Sequence, residues 1–390
     1  MDEKLLTALI GEELAGESLG ASRRHHWIIE HLEGSEAFAE GITRYALTMS
    51  GFRLFEPRNA AALAVEVARS RESAAAGARW LQKVLSSTSA EVRLILEVGG
   101  IEVTGPDMTI GDMTLTAGDR LPPSPFTERM IAKAASDSAF QSGVAYIYRT
   151  IERTDLWDTK RPRRDLAPDP FEPLRTLAAR LAIIGDASPA ILRVWSEHLD
   201  PDLDACFGTK GWIQPGQDAA TPWFPEEVTP DHQPILDRLY ALTGPLSKVF
   251  DIALRRINLG RRRVSPGDTA IDAAIALEAL LGDPNSSADM TYKLRLRCAL
   301  FLADTLEGRR AISEEVKALY ALRSRVAHGG EPKPGAHAVA ERGVQIVREV
   351  LHNLLEHPVM PNWGEWELAG GNPLSTADPA AAGGSAAPAA

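Results

Sequence analysis

From Asp231 to His357, apolar residues recur at helical spacing with only short breaks between segments. Leu246, Val249, Phe250, Ala253, Leu254 and Ile257 fall on one stripe with a period of about 3.6 residues. Ile271, Ala274, Ile275 and Leu281 form a second stripe. Asp268, after Pro266-Gly267, is placed to cap that helix, and Gly282-Asp283-Pro284 to stop it. Met290 to Leu306 reads as a third helix, with Tyr292, Leu296, Ala299, Leu300 and Ala303 aligned. A fourth, capped by Ser313, carries Val316 and runs to His328; a fifth covers Val339 to Leu355. Short loops between amphipathic helices of this length predict an antiparallel bundle over residues 231–360.

The first 230 residues are less uniform. Lys4–Leu14 and Ala60–Leu85 carry helical patterns. Val92–Leu96, Ile101–Val103 and Met108–Leu115 alternate as strands, with Gly99-Gly100 and Gly111-Asp112 as turns. Phe126–Ala135 reads as helix, Val144–Tyr148 as strand, Phe171–Ile184 as helix and Ala190–Trp195 as strand. Asp155–Pro170 and Cys206–Glu227, rich in Pro, Gly or charge, read as loops. The expected fold class is therefore an α+β region over residues 1–230 followed by an all-α helical bundle. From Asn362 the periodicity fades into an Ala/Gly/Pro tail, so residues 361–390 are expected to be flexible, with Trp363 and Trp366 pinning its start.

Charge narrows the partners. The chain carries a net charge of −11, unevenly placed. Residues 245–360 hold 17 Lys and Arg against 14 Asp and Glu, and the remainder holds 25 against 39. One mildly basic module suits a local nucleic-acid site and argues against a general nucleic-acid coat. No apolar run approaches bilayer length, so no membrane association is expected. The N-terminal stretch lacks the pattern of a secretory signal, and the two cysteines, Cys206 and Cys298, read as free thiols of a cytoplasmic protein.

Two charges interrupt the apolar stripes. Glu278 lies seven residues after Ile271, and Arg323 seven after Val316 and three after Tyr320, so both are expected to point inward. A buried lone charge needs a partner. Glu278 is expected to pair with Arg323, or with Arg297 on the neighbouring helix. His328 follows Arg323 by five residues, about 140° round an ideal helix. Gly329-Gly330 and Pro332 end the helix there. Taken alone, such a histidine is an exposed helix terminus favoured by the macrodipole. Beside an inward arginine and glutamate, the pair becomes a candidate for phosphodiester chemistry.

Glu278-Ala279-Leu280-Leu281, then Tyr292-Lys293-Leu294-Arg295-Leu296-Arg297-Cys298-Ala299, then Leu319-Tyr320-Ala321-Leu322-Arg323-Ser324 and His328-Gly329 together resemble the Apea-like branch of the HEPN domains. The resemblance covers 231–357, about the last third of the chain. It implies a helical bundle that dimerises so that the arginine and histidine of both subunits meet in a cleft. It also implies metal-independent endoribonuclease activity of the kind found in prokaryotic antiviral defence or toxin systems. Other members bind RNA or nucleotides without cleaving. Arg323 and His328 take the catalytic positions, and Glu278, Arg297, Tyr320 and Ser324 match as supporting positions. Ser324 stands where active members often carry Asn, Asp or His.

The chemistry is coherent. RNA brings its own 2′-hydroxyl nucleophile, a histidine can move the proton, and an arginine can hold the charge developing on the phosphorane. No cofactor or metal is expected. The expected reading is an RNA-cleaving homodimer, with a phage-derived or regulatory trigger acting on the N-terminal region. A catalytically silent RNA-binding or assembly subunit is the alternative. Arg261-Arg262-Arg263 and Arg325 are candidate phosphate contacts, as is the Lys160–Arg164 loop. His25, His26 and His31 lie close together but match no standard zinc spacing.

Overall fold

A computed structural model describes residues 2–15, 25–38, 45–48, 51–124, 127, 143–158, 169–208, 214–215, 225–282, 289–356, 358–359 and 361–369. The chain opens with helices α1 (Glu3–Ala15) and α2 (His26–Glu33) and a short hairpin, β1 (Tyr45–Thr48) and β2 (Gly51–Leu54). Helices α3 (Pro57–Ser70) and α4 (Ala74–Ser86) follow. They are separated by a break at Arg71–Ser73, where the Ser73 hydroxyl accepts from the Ala76 amide. These pieces close over a small core of Leu6, Ile10, Ile28, Phe55, Trp80 and Leu81.

Next come β3 (Ala90–Gly99), β4 (Ile101–Val103), β5 (Met108–Ile110), β6 (Met113–Ala117), β7 (Val144–Arg153) and β8 (Trp157–Asp158). Helix α5 (Glu172–Arg180), β9 (Ala190–His198), α6 (Pro201–Phe207), β10 (Gln214–Pro215) and β11 (Glu226–Val228) complete this half. The main sheet is antiparallel in the order β10-β9-β3-β7-β6-β5. Strand β3 is its centre, paired along its length with both β7 and β9. Period-two alternation sorts its side chains. Val92, Leu94, Leu96 and Val98 join the apolar core, while Arg93, Ile95 and Glu97 take the opposite face. There Arg93 pairs with Glu197 at 2.7 Å, and Tyr146 meets Trp195 edge-on. Glu97 is 1% exposed, with Arg193 at 3.6 Å and no hydrogen bond to its Oε1. Burial pushes its carboxyl up to about 7.

The remaining helices are α7 (Gln233–Ala241), α8 (Gly244–Arg261), α9 (Pro266–Leu281), α10 (Met290–Leu302), α11 (Leu306–Ala327), α12 (Ala336–Glu356) and α13 (Trp363–Ala369). Helix α9 is central, packed against α8, α10, α11 and α12. It is buried nearly all round, and its alanines at 270, 273, 274 and 276 let neighbours approach closely. The bundle does not stand apart from the sheet. Val92, Leu94 and Leu96 of β3, Leu174 and Leu177 of α5, and Phe250, Leu254, Leu277 and Val350 of the bundle belong to one continuous core. The change at residue 231 is one of secondary structure, and the core runs across it. Among the described residues no helix is long and apolar enough to cross a membrane.

Several local expectations are corrected. Ser265, not Asp268, caps α9, accepting from the Asp268 amide. Ser313 lies inside α11, which starts seven residues earlier and is capped by Thr305. The third bundle helix ends at Leu302 because Ala303 is extended, and Tyr292 faces solvent at 64% exposure rather than the core. Trp157–Asp158, read as loop, pairs with β1. Within the expected loop 206–227, Cys206 and Phe207 end α6, Gln214–Pro215 pairs with β9, and Glu226 begins the strand parallel to β4. The tail begins as helix α13, where Trp363 and Trp366 are both buried against Phe301. The expected helix at Phe126–Ala135, apart from Thr127, the basic loop at Lys160–Arg164 and the tail beyond Ala369 lie outside the described residues.

Candidate functional site

The end of α11 is built by its glycines. The Gly330 amide donates to Arg325 O at 2.9 Å and the Gly329 amide to Val326 O at 2.9 Å, with Gly329 left-handed at φ 79°. This paired closure needs a residue free of the Cβ penalty at Gly329. It leaves His328 as the C-cap, exposed, with its own amide on Ser324 O. Among the described residues the His328 ring has no hydrogen-bond or ion-pair partner.

Arg323 lies a turn and a half earlier. Its Nη2 is 3.9 Å from Glu278 Oε1, and the two side chains are 40% and 31% exposed. The expected pairing of Glu278 with Arg323 is present as a loose contact at the bundle rim, and the expected burial of both charges is not. Such a half-exposed pair contributes at most ~1 kcal/mol. Tyr320 holds Glu278 more firmly, donating to its Oε1 at 3.2 Å. Burial, and then the Glu278 charge, push the Tyr320 hydroxyl far above its ordinary range, so it stays a donor. Ser324 and Arg325 are exposed on the same last turns.

Arg297 is elsewhere. Only 3% exposed, it donates to Glu367 Oε1 at 2.7 Å and to Leu281 O at 2.6 Å, and its guanidinium lies 5.3 Å from the Trp363 ring centroid. It clasps α13 onto the bundle and is not joined to Glu278. A partner 70 residues away left no local signal for this role.

The three consecutive arginines have different surroundings. Arg261 donates to the carbonyls of Ala182, Ala187 and Gly185 at 2.8, 2.5 and 2.9 Å, which holds the end of α8 against the turn before β9. Burial lowers its pKa to about 10. Arg262 Nε contacts Asn258 O at 3.4 Å, and Arg263 Nε donates to Asp272 at 3.0 Å. All three border a cleft of about 710 Å³ between α8, α9 and α12. Sequence reasoning missed His337 and Gln345 on its far wall, which come from a helix 70 residues on.

The end of α11 and this cleft share one end of the bundle. A Cβ added at Gly267, in the first turn of α9, would lie 2.5 Å from a Val326 methyl, so the two helix ends touch. In the N-terminal helices, the His25 ring sits 3.3 Å from Glu13 and the His26 ring 3.2 Å from Glu30. Among the described residues no three His, Cys, Asp or Glu side chains gather as a metal site. Cys206 and Cys298 are buried free thiols, each pushed up to about 12 by burial. Compared with known proteins, the chain matches no family model, no curated protein and no solved structure.

Proposed function

We propose that the chain is a metal-independent endoribonuclease of the HEPN type, acting in the cytoplasm as an antiviral-defence or toxin effector. The observation that carries the reading is the end of α11, where Arg323 and an unpartnered His328 both reach solvent. The resemblance of residues 278–329 to Apea-like HEPN sequences supports it. His328 takes the proton from the 2′-hydroxyl or gives one to the leaving 5′-oxygen, and Arg323 holds the phosphorane charge. The products are a 2′,3′-cyclic phosphate and a 5′-hydroxyl end. Glu278 keeps Arg323 at the rim, and Tyr320 keeps Glu278. The angular offset between Arg323 and His328 makes two copies, paired through the bundle, the working unit. The N-terminal half then receives the trigger.

The test incubates the full-length protein with RNA in excess EDTA. Cleavage is expected to persist, and to vanish in His328→Ala and in Arg323→Ala along with any toxicity on expression. Full activity in either variant, or strict dependence on Mg²⁺ or Mn²⁺, would sink the assignment. A silent RNA-binding subunit is the second reading. It is favoured by the His328 ring having no described neighbour to fix its tautomer. RNA binding without cleavage by a confirmed dimer decides for it.

A further inference from the structure

The cleft between α8, α9 and α12 has a small excess of positive charge in its lining, with further ion pairs around it. Arg261 and Arg348 lean on the same exposed carboxylate, Asp186, at 3.9 and 3.2 Å. Arg256 and Arg263 share the buried carboxylate of Asp272 at 3.1 and 3.0 Å. The cleft itself is lined by three guanidinium groups, Arg261, Arg262 and Arg263, against two carboxylates, Asp186 and Glu341, and the carbonyl partners of Arg261 cancel no charge. Excess positive charge on a concave, partly desolvated wall concentrates anions, and arginine forks suit phosphate oxygens.

The rest of the lining suits more than a bare ion. Val264 is 95% exposed at the rim beside Pro266, which gives an apolar surface for a planar ring. His337 and Gln345 are exposed donors on the α12 wall. The volume, about 710 Å³, lies within the range of small-ligand pockets.

We propose that this cleft is a nucleotide-phosphate site, separate from the Arg323–His328 end and next to it through the Gly267–Val326 contact. The phosphate lies towards Arg261 and Arg263, and the base against Val264 and Pro266. The same chemistry serves a free nucleotide or one nucleotide of an RNA strand. The site does not depend on the chain cleaving RNA.

The test titrates full-length protein with AMP and, separately, with a 2′-O-methyl RNA 12-mer that cannot be cleaved. Calorimetry and fluorescence anisotropy are the readouts. Gln345→Glu puts a carboxylate on the wall and Arg263→Gln removes a cation, while Asp272 keeps Arg256. Each is expected to weaken binding at least about tenfold with an unchanged melting temperature, whereas Glu30→Gln, on α2 outside the cleft lining, keeps binding intact. Sensitivity of AMP alone identifies a free nucleotide, and sensitivity of the 12-mer alone a strand. The proposal is overturned if neither probe binds, if neither cleft variant weakens binding, or if Glu30→Gln weakens it as much. Binding with these sensitivities in a protein that never cleaves RNA removes the ribonuclease reading and leaves this site standing.

Discussion

Glu97 is the side chain whose surroundings most change its chemistry. Its ordinary pKa is 4.5 and its folded value about 7, raised by burial against a weaker pull from Arg193. Between those values the folded chain keeps a proton that the unfolded chain has released. Stability therefore falls as pH rises through that window and levels off above it. The full contribution is on the order of 3 kcal/mol, from the size of the shift. Glu97→Gln, neutral at every pH, is expected to flatten the melting temperature between pH 5 and 7 and raise it at pH 8. A variant that tracks the parent across that range would contradict this. At the other site, Arg323→Ala and His328→Ala are expected to melt within about 1 kcal/mol of the parent, because both groups are solvent-accessible and loosely held. Large destabilisation in either would show that any loss of the proposed cleavage is a folding effect.

Among the elements, the helix ends carry the strongest constraints. Ordinarily Gly→Ala stabilises a helix. At Gly267 the new methyl would run into Val326, so Gly267→Ala is expected to cost about 1–3 kcal/mol. It would also shift the last turn of α11 and lower the proposed cleavage, which comparing the activity and melting of one preparation can establish. Removing Arg297 strips α13 of its ion pair and ring contact and leaves Leu281 O without this donor. Arg297→Ala is expected to cost about 3 kcal/mol and to redden the tryptophan emission as Trp363 and Trp366 are exposed. Much of this level was legible in the sequence. Strands such as Val92–Leu96 and helices such as that through Leu246–Ile257 announce themselves by period. The cap of α9 was misread as Asp268, although Pro266 belongs at the first helical position and puts Ser265 before it. Gly308 in the first turn of α11 hid its true start at Thr305. The hairpin Tyr45–Leu54 was not legible, because its four-residue strands gain a third partner only at Trp157–Asp158. The cleft was hidden for the same reason: its walls come from segments distant in sequence.

In the whole molecule, Arg180 and Arg261 join the two halves. Arg180 donates to Asp251 at 2.8 Å, to Leu239 O at 2.6 Å and to Ser247 at 2.8 Å, across from α5 into the bundle. Arg261 answers from α8 into the turn before β9. Arg261→Ala leaves three carbonyls without this donor and is expected to cost about 3 kcal/mol, with sheet and bundle still melting in one transition by calorimetry. Two separated transitions would mean that the halves fold independently. The larger core draws on residues from Val92 to Trp366, and the smaller on residues from Leu6 to Phe207. The two sets overlap along the chain, so every junction between Leu6 and Trp366 divides at least one of them. Swapping the N-terminal half for a different domain at residue 231 would leave α8 of the bundle without its packing against α5. Such chimeras are expected to aggregate, and a lineage carrying this chain would diversify by changing side chains rather than by shuffling parts.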